Sequence, residues 1–135
     1  MPQYKIKKTF HVAYGHRLLN YKGKCENLHG HNGVVEVMLK ASELNSDRMV
    51  MDFTELGRTM KTWLDENLDH KVILAKDDPL AAVLKAQGQA CYLTDENPTA
   101  EILAKLVYDT AAAMGLPVCK AIFWETPSSM ASYKE

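Results

Sequence analysis

The sequence predicts an α+β fold: a four-stranded antiparallel sheet with two main helices on one face. Three observations carry this expectation. Residues 4–13 and 34–41 alternate apolar and polar side chains, as half-buried strands do. Residues 52–67 and 99–114 repeat apolar side chains at helical spacing. The resulting order is strand, strand, helix, helix, strand, strand.

In the first strand Ile6, Lys8, Phe10 and Val12 share one face, and Lys5, Lys7, Thr9 and His11 share the other. The second strand puts Val35, Val37 and Leu39 on one face. Together they form a long hairpin whose arms bracket a glycine-rich stretch at 14–33. Asp52 caps the first helix, with Glu55 completing a capping-box pattern. Leu56, Met60, Trp63, Leu64 and Leu68 form its inner stripe, and it ends near Asn67. Residues 71–98 are less regular, with a short helix begun by Pro79 and stopped by Gly88. The second main helix is capped by Asn97, with Pro98 in its first position, or by Thr99. Gly115 and Pro117 end it. Residues 118–125 form a third strand and 129–134 a fourth. Tyr4, Val34, Met38, Ile122 and Trp124 make the sheet more apolar than a solvated face needs, so a homo-oligomer is expected.

A chain of 135 residues, 47% hydrophobic, supports one core and one domain over 1–135. Its net charge of -1 gives no global field to draw nucleic acid or an anionic membrane. No basic stripe with interleaved aromatics appears either. Its apolar runs fall far short of the ~20 residues that span a bilayer. The start, MPQYKIKK, lacks the apolar stretch of a secretory signal, so a cytoplasmic protein is expected. Cys25, Cys91 and Cys119 are odd in number and form no CxxC pair, which argues against a disulfide framework or a cysteine-rich zinc knuckle.

The unusual chemistry lies in histidines. His29 and His31 flank Gly30, so an extended backbone projects both imidazoles to one side. His16 lies upstream, within reach of a returning hairpin. Three neutral imidazoles around a tetrahedral zinc leave one position for water or substrate, although other divalent ions use the same ligands. Against this stands the plainer reading of strand histidines that hydrogen-bond to neighbours. Cys25 is either a fourth ligand closing a structural site or a thiolate base beside the ion. Asp69 orients the His70 ring if a turn brings them together; otherwise His70 is a helix-end histidine facing terminal carbonyls. Glu125 is either exposed at the sheet edge or pocketed, where it can accept two N–H bonds from a guanidine-like ring edge. Lys5, Lys7, Lys8, Arg17, Lys22 and Lys24 offer local charge for a small anion.

These residues occur in pieces that resemble the 6-pyruvoyltetrahydropterin synthase family. The pieces are Gly15-His16-Arg17-Leu18, Cys25-Glu26-Asn27-Leu28-His29-Gly30-His31-Asn32, Val50-Met51-Asp52-Phe53, Leu68-Asp69-His70, Asn97-Pro98-Thr99-Ala100-Glu101 and Trp124-Glu125-Thr126. They follow the family's order over nearly the whole chain. Within the family they look most like the bacterial branch that makes 6-carboxy-5,6,7,8-tetrahydropterin for queuosine biosynthesis.

The resemblance implies a tunnelling fold, with trimers closing a barrel and two trimers stacking into a hexamer. It implies zinc on His16, His29 and His31, Cys25 as general base, and Asp69 and His70 as a second proton-transfer pair. Glu125 would anchor the pterin ring, Thr99 would contact it, and Arg17 and Lys24 are candidates for the triphosphate. The implied reaction converts 7,8-dihydroneopterin triphosphate to the 6-carboxy product with loss of triphosphate and acetaldehyde. The alternatives are a synthase that keeps the side chain as a 6-pyruvoyl group or a related side-chain lyase, and, in another class, a non-catalytic metal-stabilised module. Two departures stand out. The family's Phe-x-Ala-Ala-His is here Val12-Ala13-Tyr14-Gly15-His16, and its aromatic residue after HGHN is here Gly33.

Overall fold

Strand β1 (Tyr4–His16) pairs along its whole length with antiparallel β2 (His29–Ala41), so the expected hairpin forms. The computed structural model describes residues 3–135; the first two residues of the expected 1–135 domain lie outside it. Helix α1 (Phe53–Asn67) follows, then β3 (Lys71–Ala75), α2 (Leu80–Ala86), β4 (Cys91–Thr94), α3 (Ala100–Ala113), β5 (Val118–Thr126) and β6 (Ser129–Tyr133).

The sheet corrects the expected four antiparallel strands and two helices. It has six strands in the order β4-β3-β1-β2-β5-β6, and β3 runs parallel to both β1 and β4. There are three α-helices among the described residues. The two strands missed in the sequence fall in the irregular stretch 71–98. Lys71–Ala75 is a short run ending in VILA, and a buried strand of that kind shows no alternation to distinguish it from helix. Cys91–Thr94 is shorter still. Helix α2 connects these two parallel strands.

The helices begin where the sequence allows. Asp52 accepts a hydrogen bond from Thr54 N at 2.7 Å and caps α1. Thr99 rather than Asn97 caps α3, accepting from Ile102 N at 3.2 Å. Gly115, with φ at 83°, takes the left-handed conformation just beyond that helix. Leu56, Met60 and Leu64 of α1 and Leu103 and Val107 of α3 are buried in one core with Phe10, Val12, Val35, Val37, Leu39 and Phe123 of the sheet. Each such side chain contributes about 1.5–3 kcal/mol when fully buried.

Alternation in the hairpin places the site. The helix-facing positions of β1 read Phe10, Val12, Tyr14, His16; those of β2 read His29, His31, Gly33, Val35. His16 pairs with His29 and Tyr14 with His31. The apolar stripe thus passes into imidazoles at the sheet's end. Val34, Met38 and Trp124 alternate onto the opposite face.

Candidate metal centre

His16, His29 and His31 offer ring nitrogens that lie within 4.8 Å of one another. Their ring centroids are 4.6 to 5.2 Å apart. His16 is 1% exposed, and its Nδ1 lies 2.8 Å from the carbonyl oxygen of Pro98. His29 Nδ1 lies 2.7 Å from the carbonyl oxygen of Asn27. A carbonyl only accepts, so Nδ1 of each ring carries the proton and Nε2 keeps a lone pair. Nε2 of His16 and Nε2 of His31 are buried with no hydrogen-bond partner. Two ring nitrogens buried in this way beside a third imidazole fit a cation that prefers nitrogen ligands. Burial lowers the pKa of both His16 and His31, holding them in the neutral form that binds a metal.

Cys25 lies in a 3-10 turn, Lys24–Glu26, between the arms of the hairpin. Its carbonyl oxygen accepts from Leu18 N at 2.9 Å, which ties the turn to the segment leaving His16. The thiol is half-buried and stands outside the three-histidine donor set. Glu125, half-buried on β5, has a carboxylate oxygen 4.0 Å from His16 Nε2. The carboxylate therefore borders the cluster instead of standing free at the sheet edge.

Asp69 and His70 touch each other, because the chain turns between α1 and β3. His70 adopts φ 59°, and its Nδ1 lies 2.8 Å from Asp69 Oδ2. Asp69 Oδ1 accepts from Ala13 N at 2.9 Å, while His70 N donates to Ala13 O at 2.6 Å. Burial pushes the Asp69 carboxyl upward, but the Ala13 N–H and His70 outweigh it, leaving the pKa lowered. The His70 side chain is 81% exposed, so the ring faces outward from the chain while Asp69 stays anchored to β1.

Arg17 is already paired. Its Nε donates to Asp78 Oδ2 at 2.8 Å, and Nη2 donates to Oδ1 alongside. The Asp78 side chain is fully buried and also accepts from Leu80 N at the start of α2. The Arg17 guanidinium holds the Asp78 carboxyl below its usual range, against burial. Arg17 and Lys22 line an open cleft of about 450 Å³.

Asn97 and Asp78 were not singled out as site residues in the sequence. Asn97 Oδ1 accepts from Leu19 N at 2.8 Å and its Nδ2 donates to Leu19 O at 2.9 Å. With Pro98 O on His16, this clamp fixes the segment that carries the first imidazole. The NPT motif was the available signal, but its reach to residues 16–19 is long-range and no local pattern shows it. Thr99, next in the motif, uses its hydroxyl on the α3 cap.

A family model described as 6-pyruvoyl tetrahydropterin synthase matches residues 5–135. The chain belongs to the 6-pyruvoyl tetrahydropterin synthase family. Family members are pterin-processing lyases, and this member carries a three-histidine cluster capable of holding a metal ion.

A 6-carboxy-5,6,7,8-tetrahydropterin synthase of Aquifex aeolicus is 34% identical, over 98% of this chain and 99% of that protein. The enzyme of the same name from Rickettsia felis is 39% identical over 73% of this chain and 75% of its own length. Among solved structures, an uncharacterised Wolinella succinogenes protein superposes with a TM-score of 0.80 at 27% identity, covering 100% of this chain and 99% of that one. The Caenorhabditis elegans 6-pyruvoyl tetrahydropterin synthase gives 0.75 at 28% identity, covering 100% and 97%. Among the described residues, no helix is long and apolar enough to cross a membrane.

Proposed function

We infer that this chain is a zinc-dependent lyase that converts 7,8-dihydroneopterin triphosphate and one water to 6-carboxy-5,6,7,8-tetrahydropterin, releasing triphosphate and acetaldehyde. The observation that carries this reading is the set of three imidazoles with two buried, unpartnered Nε2 atoms beside the Glu125 carboxylate. The bacterial relatives named for the 6-carboxy product support that branch over the 6-pyruvoyl one.

His16, His29 and His31 would hold the zinc. Bound there, zinc would act as a Lewis acid toward the side-chain hydroxyls of the substrate. Glu125 would accept two N–H bonds from the pterin ring, as a carboxylate suits a guanidine-like edge. Cys25 would take a proton from the side-chain carbon next to the ring, and its place outside the donor set leaves the thiol available. Asp69 would hold His70 in one tautomer for the second proton transfer. The exposure of His70 fits a site completed by a second copy of the chain in a hexamer of two trimers. Arg17, with Lys22 in the same cleft, would face the leaving triphosphate, and Thr99 would lie near the ring.

The test is incubation of the zinc-loaded protein with the dihydropterin triphosphate, with mass analysis of all products. Acetaldehyde with the carboxy-pterin supports the reading, and a chelator should stop both. Retention of the side-chain carbons in the product would assign the 6-pyruvoyl reaction instead.

A further inference from the structure

Among the described residues, three buried side-chain polar atoms have no hydrogen-bond partner: Nε2 of His16, Nε2 of His31 and the hydroxyl of Tyr14. All three belong to one place. A cation satisfies the two imidazoles, but a phenol O–H is a donor and needs an acceptor.

Tyr14 is 4% exposed on the helix-facing side of β1. Its ring meets His16 edge-on at 5.2 Å, lies tilted to His31 at 5.6 Å and meets Phe123 edge-on at 5.4 Å. The ring reaches across β2. A Cβ placed on Gly33 would lie 2.9 Å from Tyr14 Cε1, the carbon next to the one bearing the hydroxyl, and 3.2 and 3.3 Å from the carbonyl oxygens of Trp124 and Val12. Glycine at 33 therefore leaves the space that the ring fills. The phenol end is carried from β1 over β2 toward β5, whose Phe123 meets the ring and whose Glu125 comes within 4.0 Å of His16 Nε2. A buried ring that needed only to fill volume would be served by phenylalanine, without an orphan hydroxyl.

We propose that Tyr14 is a positioning residue whose phenol donates a hydrogen bond to the Glu125 carboxylate in the zinc-loaded protein. With the His16 and His31 ring nitrogens committed to an ion, neither Nε2 can donate to Glu125; Tyr14 is a buried donor close enough that the Glu125 carboxylate adds to the upward shift that burial gives its phenol. The bond fixes the plane of the carboxylate, and each of its oxygens keeps a lone pair for the ligand. The role of Glu125 toward a pterin ring rests on the function proposed above; the bond itself does not.

Two readouts keep these apart. The first is the hydroxyl-proton NMR spectrum of the zinc-loaded protein without substrate. A slowly exchanging tyrosine hydroxyl proton is expected, absent in Tyr14→Phe and lost in Glu125→Ala with zinc still bound. Gly33→Ala, which pushes on the ring, should weaken the same signal. A hydroxyl signal unaffected by Glu125→Ala, or no signal at all in the wild type, overturns the proposal.

The second readout is turnover of the dihydropterin triphosphate. Tyr14→Phe should raise KM about tenfold and lower kcat by less than about threefold, as expected for a group that orients the binding carboxylate. An unchanged KM in an active variant overturns the positioning role. If the wild type does not turn the compound over, the functional reading fails, and the NMR result alone decides the Tyr14–Glu125 bond.

Discussion

His16 Nδ1 lies 2.8 Å from the carbonyl oxygen of Pro98, a contact between residues far apart in sequence. It leaves the Nε2 lone pair for the cluster with His29 and His31. Metal affinity should therefore depend on the loop that supplies the carbonyl as well as on the imidazoles. His16→Ala is expected to weaken zinc binding at least about a hundredfold, and Asn97→Ala, which loses both bonds to Leu19, about tenfold. Competition with a zinc chelator measures both. Wild-type affinity in Asn97→Ala would show that the clamp does not position the ligand.

The buried imidazoles set a pH dependence for the metal-free protein. His16 and His31 have folded pKa values below the ordinary value of about 6.5, chiefly through burial. The unfolded chain binds protons on these rings before the folded chain does. Their contribution to stability is full above about pH 6.5 and is lost as pH falls through the lower folded values. Urea unfolding of the metal-free protein between pH 7.5 and pH 5, at about half-unit steps, should show this decline. It should shrink in the double variant His16→Asn, His31→Asn.

Arg17 and Asp78 give a separate prediction. Arg17→Ala leaves a fully buried carboxylate without its partner, and a loss of about 3 kcal/mol is expected in denaturant unfolding. The Asp78 pKa is lowered in the fold, so the stability it contributes is present above about pH 4 and is lost as pH falls through its lower folded value. If Arg17→Ala impaired turnover with no change in stability, Arg17 would be a substrate contact first and a structural one second.

Much of this site was legible in the sequence. The HGH spacing, upstream His16, and the alternation of both hairpin arms were enough to bring three imidazoles to one face. The capping role of Asp52 and the limits of both long helices were equally local, because caps and stops act within a turn. What escaped was non-local. Strands Lys71–Ala75 and Cys91–Thr94 exist by pairing in parallel, β3 with β1 and β4 with β3, and such short strands carry no period of their own. The Asn97 clamp on Leu19, the Arg17–Asp78 pair and the seat of the Tyr14 ring over Gly33 join residues that no spacing rule connects.

Cys25 separates catalysis from metal retention. As a base it should be dispensable for zinc and required for turnover: Cys25→Ala is expected to keep its zinc while activity falls about 10²–10⁴-fold. Metal content and initial rates on the same preparation check this. Full turnover in Cys25→Ala at saturating zinc would remove the thiol from the mechanism.

The most direct measurement on the open three-histidine site is the absorption spectrum of the cobalt-substituted protein. Cobalt held by His16, His29 and His31 should show visible ligand-field bands, which change on adding the dihydropterin triphosphate, and no intense near-ultraviolet thiolate band. A strong charge-transfer band that disappears in Cys25→Ala would mean that the thiolate closes the coordination sphere, and would contradict an open catalytic metal centre.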